Sequence, residues 1–215
     1  HHRYIHSFPT RRSSDLDADF VAGVPDSGIG HAMGYSYQSG IPLKRPYSKY
    51  TPTWPRSFMP QRQDTRELVA RMKLIINESV IKGKSGVCLD DSIVRGTQLH
   101  RQSQDLFMAG LKEMHMRIAC PPIIQSCPYL NFSQLRSPNE LATHRAIEKL
   151  EGKCISEKGD YSIAGSSKYC AMVEQIRDNL GLTSLKFQHI DDMVEAIGLP
   201  KEKLCTYCWG GAGNL

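Results

Sequence analysis

No stretch of this sequence approaches the ~18–20 consecutive apolar residues that a membrane-spanning helix needs, so no membrane partner is expected. A short apolar segment behind a basic start is also missing, and no secretory signal is expected. There is no G-x-x-x-x-G-K-[ST] run, which excludes a P-loop. Internal repeats are absent. So is an even cysteine count: the seven Cys stand at irregular spacing, whereas an extracellular disulfide framework is usually even. A reduced, cytoplasmic chain is the expectation. Excess charge is small, with 27 Lys and Arg against 22 Asp and Glu giving +5. Residues 1–16 hold Arg3, Arg11 and Arg12 against Asp15 alone, three minus one, or +2 of that total. The remaining +3 does not call for a nucleic-acid partner. Residues 1–16 show no helix or strand period and read as a non-native or disordered tail. The start at His1 rather than Met leads us to expect a fragment.

What remains is ordinary for a folded chain. Of 215 residues 40% are hydrophobic and 23% charged, which argues against a disordered chain, a coiled coil or a collagen-like fibre. The length suits one to two domains. Phe20–Val24 is a short apolar run that suits a buried strand. Pro25-Asp26-Ser27-Gly28 is a turn signal, and Ile29, Ala32 and Met33 then recur at helical spacing up to Gly40, a C-cap. Val87-Cys88-Leu89 is a second buried strand. A helix through Leu106–Met114 and a strand around Met116–Ala119 follow. Alternation of strand and helix predicts an α/β fold with a mostly parallel sheet flanked by helices.

Residues 42–63 break the pattern, with prolines, Tyr47, Tyr50, Trp54 and Phe58, five cations and no acid. The segment reads either as a solvated linker or as a lid over an anion. Residues 64–76 read as a helix with Asp64 as N-cap. Arg71 and Lys73 lie off its apolar face, facing either solvent or an anion. Ser137-Pro138-Asn139-Glu140 predicts a capping box opening a helix to Glu151. Residues 153–167 are expected to be an exposed insertion. Tyr169, Met172, Val173, Ile176 and Leu180 form a helical stripe before Gly181. Leu185–Ile190 suits a strand and Asp191–Ile197 a short helix. Residues 17–200 are expected to form the main domain. Residues 201–215 form a C-terminal segment with Cys205-x-x-Cys208, part of a helical C-terminal extension.

The chemistry concentrates in Val87-Cys88-Leu89-Asp90-Asp91-Ser92-Ile93-Val94-Arg95-Gly96-Thr97. A hydrophobic strand delivers two carboxylates to its C-terminal end, where open α/β sheets bind ligands. A hydroxyl- and glycine-containing loop then enters a helix, and its backbone N–H groups make an anion cradle. Gly96 permits close approach to a phosphate. Carboxylates beside a phosphate accept sugar hydroxyls or hold Mg²⁺, so the segment suggests a phosphorylated sugar. Paired Asp at a strand end also serve simply as turn formers.

Leu89 to Thr97 resembles the phosphoribosyl-pyrophosphate motif of type I phosphoribosyltransferases, in the wording of the glutamine-dependent amidophosphoribosyltransferase family. Gly23-Val24-Pro25-Asp26-Ser27 resembles the family's pyrophosphate loop. Arg66 to Leu74 resembles the segment after its flexible loop. Pro121-Pro122 to Cys127, with Cys205 and Cys208, resembles its iron–sulfur positions. The resemblance implies a type I phosphoribosyltransferase-like fold and the opening step of purine synthesis, in which ammonia displaces pyrophosphate from phosphoribosyl pyrophosphate. It implies that Asp90 and Asp91 meet the ribose hydroxyls and Mg²⁺, that Ser92, Ile93, Val94, Arg95, Gly96 and Thr97 hold the 5′-phosphate, and that Asp26 and Ser27 meet the pyrophosphate. Lys49 and Arg56 would close over the substrate, with Arg71 and Lys73 near the leaving group. The loop itself departs from the family's wording, matching mainly at Arg56 and Phe58. Cys127, Cys205 and Cys208 would be three of four ligands of a 4Fe–4S cluster, the fourth lying before this fragment. The family's glutaminase, which supplies the ammonia, is not expected in this chain, and the intact parent is expected to be a homo-oligomer. Read without the resemblance, the Cys pair could equally be a redox pair or a zinc half-site. Two alternatives stand beside the transferase: a non-catalytic sensor of phosphoribosyl pyrophosphate, and a nucleobase-salvage phosphoribosyltransferase.

Overall fold

The computed structural model describes residues 16–49, 74–128, 140–153 and 159–211. Four parallel strands form the main sheet: β1 (Phe20–Gly23), β4 (Ser85–Asp90), β5 (Glu113–Ile118) and β6 (Ser184–Phe187), in the spatial order β1-β4-β5-β6. A separate antiparallel pair joins β2 (Tyr47–Lys49) to β3 (Leu74–Ile76), with Ser48 opposite Ile75. The helices are α1 (Gly28–Ser39), α2 (Glu78–Ile81), α3 (Thr97–Met108), α4 (Ala142–Glu151), α5 (Gly159–Ser162), α6 (Ser167–Leu180) and α7 (Ile190–Ile197). Short 3₁₀ turns follow at Lys201–Lys203 and Tyr207–Trp209.

Strand alternation explains the two layers. Side chains of successive strand residues point to opposite faces. Phe20, Ala22, Cys88, Met114, Met116 and Ile118 enter the larger core, where they meet Leu99 and Leu106 of α3, Ile147 of α4, and Met172 and Ile176 of α6. Val21, Val87 and Leu89 enter a smaller core with Ala32 and Tyr35 of α1. Along β5 the same alternation sets the buried polar residues His115 and Arg117 apart from the methionines.

The chain order creates a crevice. Leu43 bridges Val21 in parallel on one side of β1, whereas β4 pairs with β1 on the other. Connections that leave in opposite directions open a gap at the carboxyl ends of the two strands, where ligands of such sheets bind.

Several expectations change. The helix over 64–76 cannot extend to its stated end, because Leu74–Ile76 is a strand held by Tyr47–Lys49. Residues 47–49, read as part of a structureless loop, are that partner strand. The helix after the motif starts at Thr97 and ends at Met108, so Glu113 and Met114 belong to β5. Met33 is exposed, and Tyr35 takes the buried position on α1. The capping box gives way to a different contact, since Leu141 is the N-cap of α4 and Glu140 pairs with Arg95. Of the expected exposed insertion, α5 buries Tyr161 in the core. Arg56, Asp64, Arg71, Lys73 and Ser137 lie outside the described residues.

Candidate functional site

Two loops meet at the crevice because their strands are neighbours. Gly23 of β1 stands opposite Leu89 of β4, and Asp90 opposite Ile118 of β5. The first loop, Val24–Ser27, enters α1. The second, Asp91–Gly96, enters α3. Val24 N donates to Leu89 O at 2.8 Å and locks the first loop onto the second strand. The Pro25–Asp26 peptide bond is cis. Gly28 has to be glycine: a Cβ there would collide with the Leu89 carbonyl oxygen. The start of α1 therefore rests directly on the end of β4, which brings Ser27 beside Asp90.

Ser27 Oγ donates to Asp90 Oδ1 at 3.2 Å, and Asp91 N donates to the same oxygen at 2.9 Å. Asp91 Oδ1 in turn accepts from Ser92 N at 2.7 Å. Burial drives the Asp90 carboxyl up to about 7, and the neighbouring Asp91 carboxylate pushes the same way. The hydrogen bonds from Ser27 and the Asp91 amide pull it back only in part. His31, in the first turns of α1, is also within electrostatic reach of Asp91. Its pKa is lowered by burial, against the pull of that carboxylate. Sequence reasoning missed His31, since only the seating of α1 on β4 brings it to the carboxylates.

The second loop borders a cavity of about 510 Å³ that Ser27, Asp90, Asp91, Ser92, Gly96 and Thr97 help to line. Gly96 is left-handed, with φ 72°, and it turns the chain into α3 so that the first-turn N–H groups of that helix face the cavity. Ile93 is buried in the core, so it anchors the loop and contributes backbone alone to any ligand. Arg95 also borders this cavity, and a carboxylate holds its guanidinium. Its Nε and Nη2 each reach Glu140 Oε2 at 2.8 Å. Helix α4 braces the loop at two further points. Ala142 N donates to Val94 O at 2.9 Å, and Arg145 Nη2 donates to the Arg95 carbonyl. Asp26 lies on the other side of the first loop, at a cavity of about 520 Å³ shared with Lys44 and Arg45. Lys49 ends β2.

The cysteines lie behind this edge. Cys127 is buried, Cys205 exposed and Cys208 half-buried. Burial first, then Cys127 and Cys205, push the Cys208 thiol up to about 11. The three thiols are thus neighbours, although among the described residues no three His, Cys, Asp or Glu side chains converge on a single metal-ion position. Cys208 O accepts from Ile124 N at 2.7 Å and Gln125 N at 3.0 Å, which binds the C-terminal segment to the loop after β5. Cys120 stands between the two groups: burial drives its thiol up to about 12, with smaller contributions from Asp91, Asp90 and Cys208.

A parallel sheet that presents an Asp–Asp pair and a hydroxyl–glycine loop at its carboxyl edge has the type I phosphoribosyltransferase fold. No family model matches the chain. Over nearly its whole length it is nonetheless similar in sequence to the amidophosphoribosyltransferases. It is 35% identical over 196 residues to that of Methanocaldococcus jannaschii, covering 91% of this chain and 35% of the relative. It is 34% identical over 200 residues to the chloroplastic amidophosphoribosyltransferase of Glycine max, covering 92% of this chain and 30% of the relative. Two solved structures superpose on 99% of the chain at 30% identity. One, of the allosteric regulatory enzyme of purine biosynthesis, gives a TM-score of 0.72 with 40% of its own chain covered. The other, the B. subtilis glutamine phosphoribosylpyrophosphate amidotransferase complexed with ADP and GMP, gives 0.71 with 41% covered. The chain thus spans about a third of the length of the curated relatives it matches.

Proposed function

We propose that this chain is the phosphoribosyltransferase part of a glutamine-dependent amidophosphoribosyltransferase, in which ammonia displaces pyrophosphate from phosphoribosyl pyrophosphate to give 5-phosphoribosylamine. The observation that carries this reading is the carboxyl edge where Ser27, Asp90 and the 92–97 loop surround one cavity.

In this reading the 5′-phosphate sits on the backbone N–H groups of Ser92 to Thr97 at the start of α3. Asp90 and Asp91 accept the ribose hydroxyls. The same pair suits Mg²⁺, which is commonly held by one or two carboxylates together with substrate phosphates; a cation held there would favour the ionised form of Asp90, which burial first and then Asp91 oppose. Bound there, it would supply charge neutralisation for the pyrophosphate. Asp26 and Ser27 border the leaving group. The ammonia nitrogen forms a bond to the anomeric carbon as the bond to the pyrophosphate oxygen breaks. The pyrophosphate leaves with the electron pair, and the nitrogen sheds a proton. Cations and N–H donors aimed at the departing oxygens lower this barrier, a role assigned to Arg71 and Lys73, with Lys49 and Arg56 closing the site against water. Cys127, Cys205 and Cys208 would supply three of the thiolates that hold a 4Fe–4S cluster. A cytoplasmic location, ammonia from a glutaminase domain and a homo-oligomeric parent complete the proposal.

The test is pyrophosphate release by the 215-residue chain given phosphoribosyl pyrophosphate, Mg²⁺ and an ammonium salt. Ammonia-dependent release, abolished by EDTA and by Asp91→Asn, is the expected result. Binding of phosphoribosyl pyrophosphate without turnover would replace this reading with that of a sensor. Acceptance of a nucleobase in place of ammonia would replace it with salvage.

A further inference from the structure

The loop after β5 and the C-terminal turn are remote in sequence and clamped together in the fold. Ile124 N and Gln125 N both donate to Cys208 O, at 2.7 and 3.0 Å. Helix α4 holds the same loop. Thr143 Oγ1 donates to Ile123 O at 2.6 Å, and His144 Nε2 lies 2.7 Å from Ile124 O. The turn is pinned as well. Trp209 N and Gly211 N both donate to Thr206 O at 3.1 Å, Thr206 is buried, and Trp209 packs against the larger core. Cys127 and Cys208 thus stand on two anchored stretches of backbone.

Their side chains meet. The two thiols share a hydrogen bond, whereas Cys205 acts on Cys208 through charge alone. A disulfide spans Cα atoms about 4.4–6.8 Å apart, which is the spacing of segments joined by backbone hydrogen bonds. Access to solvent separates the three sulfurs: Cys205 is exposed, Cys208 half-buried and Cys127 buried. A dissolved oxidant therefore reaches Cys208 before Cys127. Once Cys208 has reacted, Cys127 needs no access of its own, because its target is the neighbouring sulfur.

We propose that Cys127 and Cys208 form a reversible disulfide that fastens the C-terminal segment to the loop after β5, with a small disulfide of the glutathione type as oxidant. The Cys208 thiolate attacks one sulfur of the oxidant, forms a mixed disulfide and releases one glutathione thiolate. The Cys127 thiolate then attacks Cys208 Sγ, and the second glutathione leaves with the electron pair. Two protein thiols are oxidised, one glutathione disulfide is reduced to two glutathiones, and the two thiol protons pass to the departing thiolates. The bond closes a long loop and restrains the unfolded chain, so the oxidised form is the more stable. It does not rest on the reaction proposed above. It draws on sulfurs of the proposed iron–sulfur site, so the disulfide and a cluster exclude each other.

The test uses the full chain, reduced with dithiothreitol beside an iron chelator and then freed of both. It is incubated with glutathione disulfide at pH 8, quenched with N-ethylmaleimide in urea, and mapped by mass spectrometry. Backbone fragmentation at Pro121 and Pro122 tells Cys120 from Cys127, and chymotryptic cleavage after Tyr207 separates Cys205 from Cys208. The expected product joins Cys127 to Cys208, with both lost as maleimide sites and both regained after dithiothreitol. Cys205→Ser should form the same bond. A product that joins Cys205 or Cys120 to Cys208, or one in which Cys127 still takes up maleimide, overturns the proposal.

Discussion

Replacing Asp90 by Asn should stabilise the protein, and by an amount that depends on pH. An unfolded Asp loses its proton near the ordinary value of 3.8, whereas folding holds the Asp90 proton up to about 7. Between those values the native state binds more protons than the unfolded state, so this group's contribution to stability falls as pH rises. Above about 7 the native protein carries the full penalty of a buried charge beside Asp91. The gap between 3.8 and about 7 sets an upper limit of about 4 kcal/mol. Solvent at the cavity mouth screens the pair, and about 2 kcal/mol is the expected size. Asn is isosteric and keeps an oxygen to accept from Ser27 Oγ and Asp91 N, so little else changes. Urea unfolding of wild type and Asp90→Asn in EDTA, at several pH values between 5 and 8, measures the difference directly. It should grow with pH and level off above about 7. A difference that stays flat across this range, or a variant less stable than wild type at pH 8, refutes the assignment of strain to the carboxylate pair.

Three other outcomes follow from the same geometry. Gly28→Ala sets a methyl against the Leu89 carbonyl and should cost about 1–3 kcal/mol, read as a lower Tm. Glu140→Gln removes the Arg95 brace but only a half-exposed ion pair, so stability should change by less than about 1 kcal/mol. On the proposed reaction its KM for phosphoribosyl pyrophosphate should rise by about fivefold with kcat little altered. Among the described cysteines, Cys170 and Cys205 should be modified first by iodoacetamide at pH 8, while Cys88 and Cys120, both pushed up to about 12, should react only on unfolding. Mass spectrometry of the native protein showing Cys120 labelled as fast as Cys170 would contradict its burial.

The parts of the molecule that could be read in advance are those whose causes are local. The run from Val87 to Thr97 carries its own strand, its carboxylates, its glycine and its helix start. The helix ends at Gly40 and Gly181 were legible for the same reason, and both glycines adopt left-handed backbone. Reading failed where two remote segments compete with a local signal. Leu74-Ile75-Ile76 is an apolar run that suits helix or strand equally, and Tyr47–Lys49 decides for strand. Glu140 fits a capping box by spacing, yet the guanidinium of Arg95, 45 residues away, takes its carboxylate.

Residue chemistry and short-range spacing were enough to mark the glycine-containing loop, the acidic pair and most of the apolar stripes that reach the cores. They act within a few residues, where backbone sterics and helix or strand period leave few choices. Strand order lies beyond their reach. Only the folded chain seats α1 on β4, so that Ser27 and His31 meet the carboxylates, and only it draws Cys127 to Cys208. It also places Arg145 and Lys149, two unremarkable helix cations in the sequence, in the lining of a third cavity. Those outcomes depend on which distant surfaces bury one another, and that choice is made by the whole core at once.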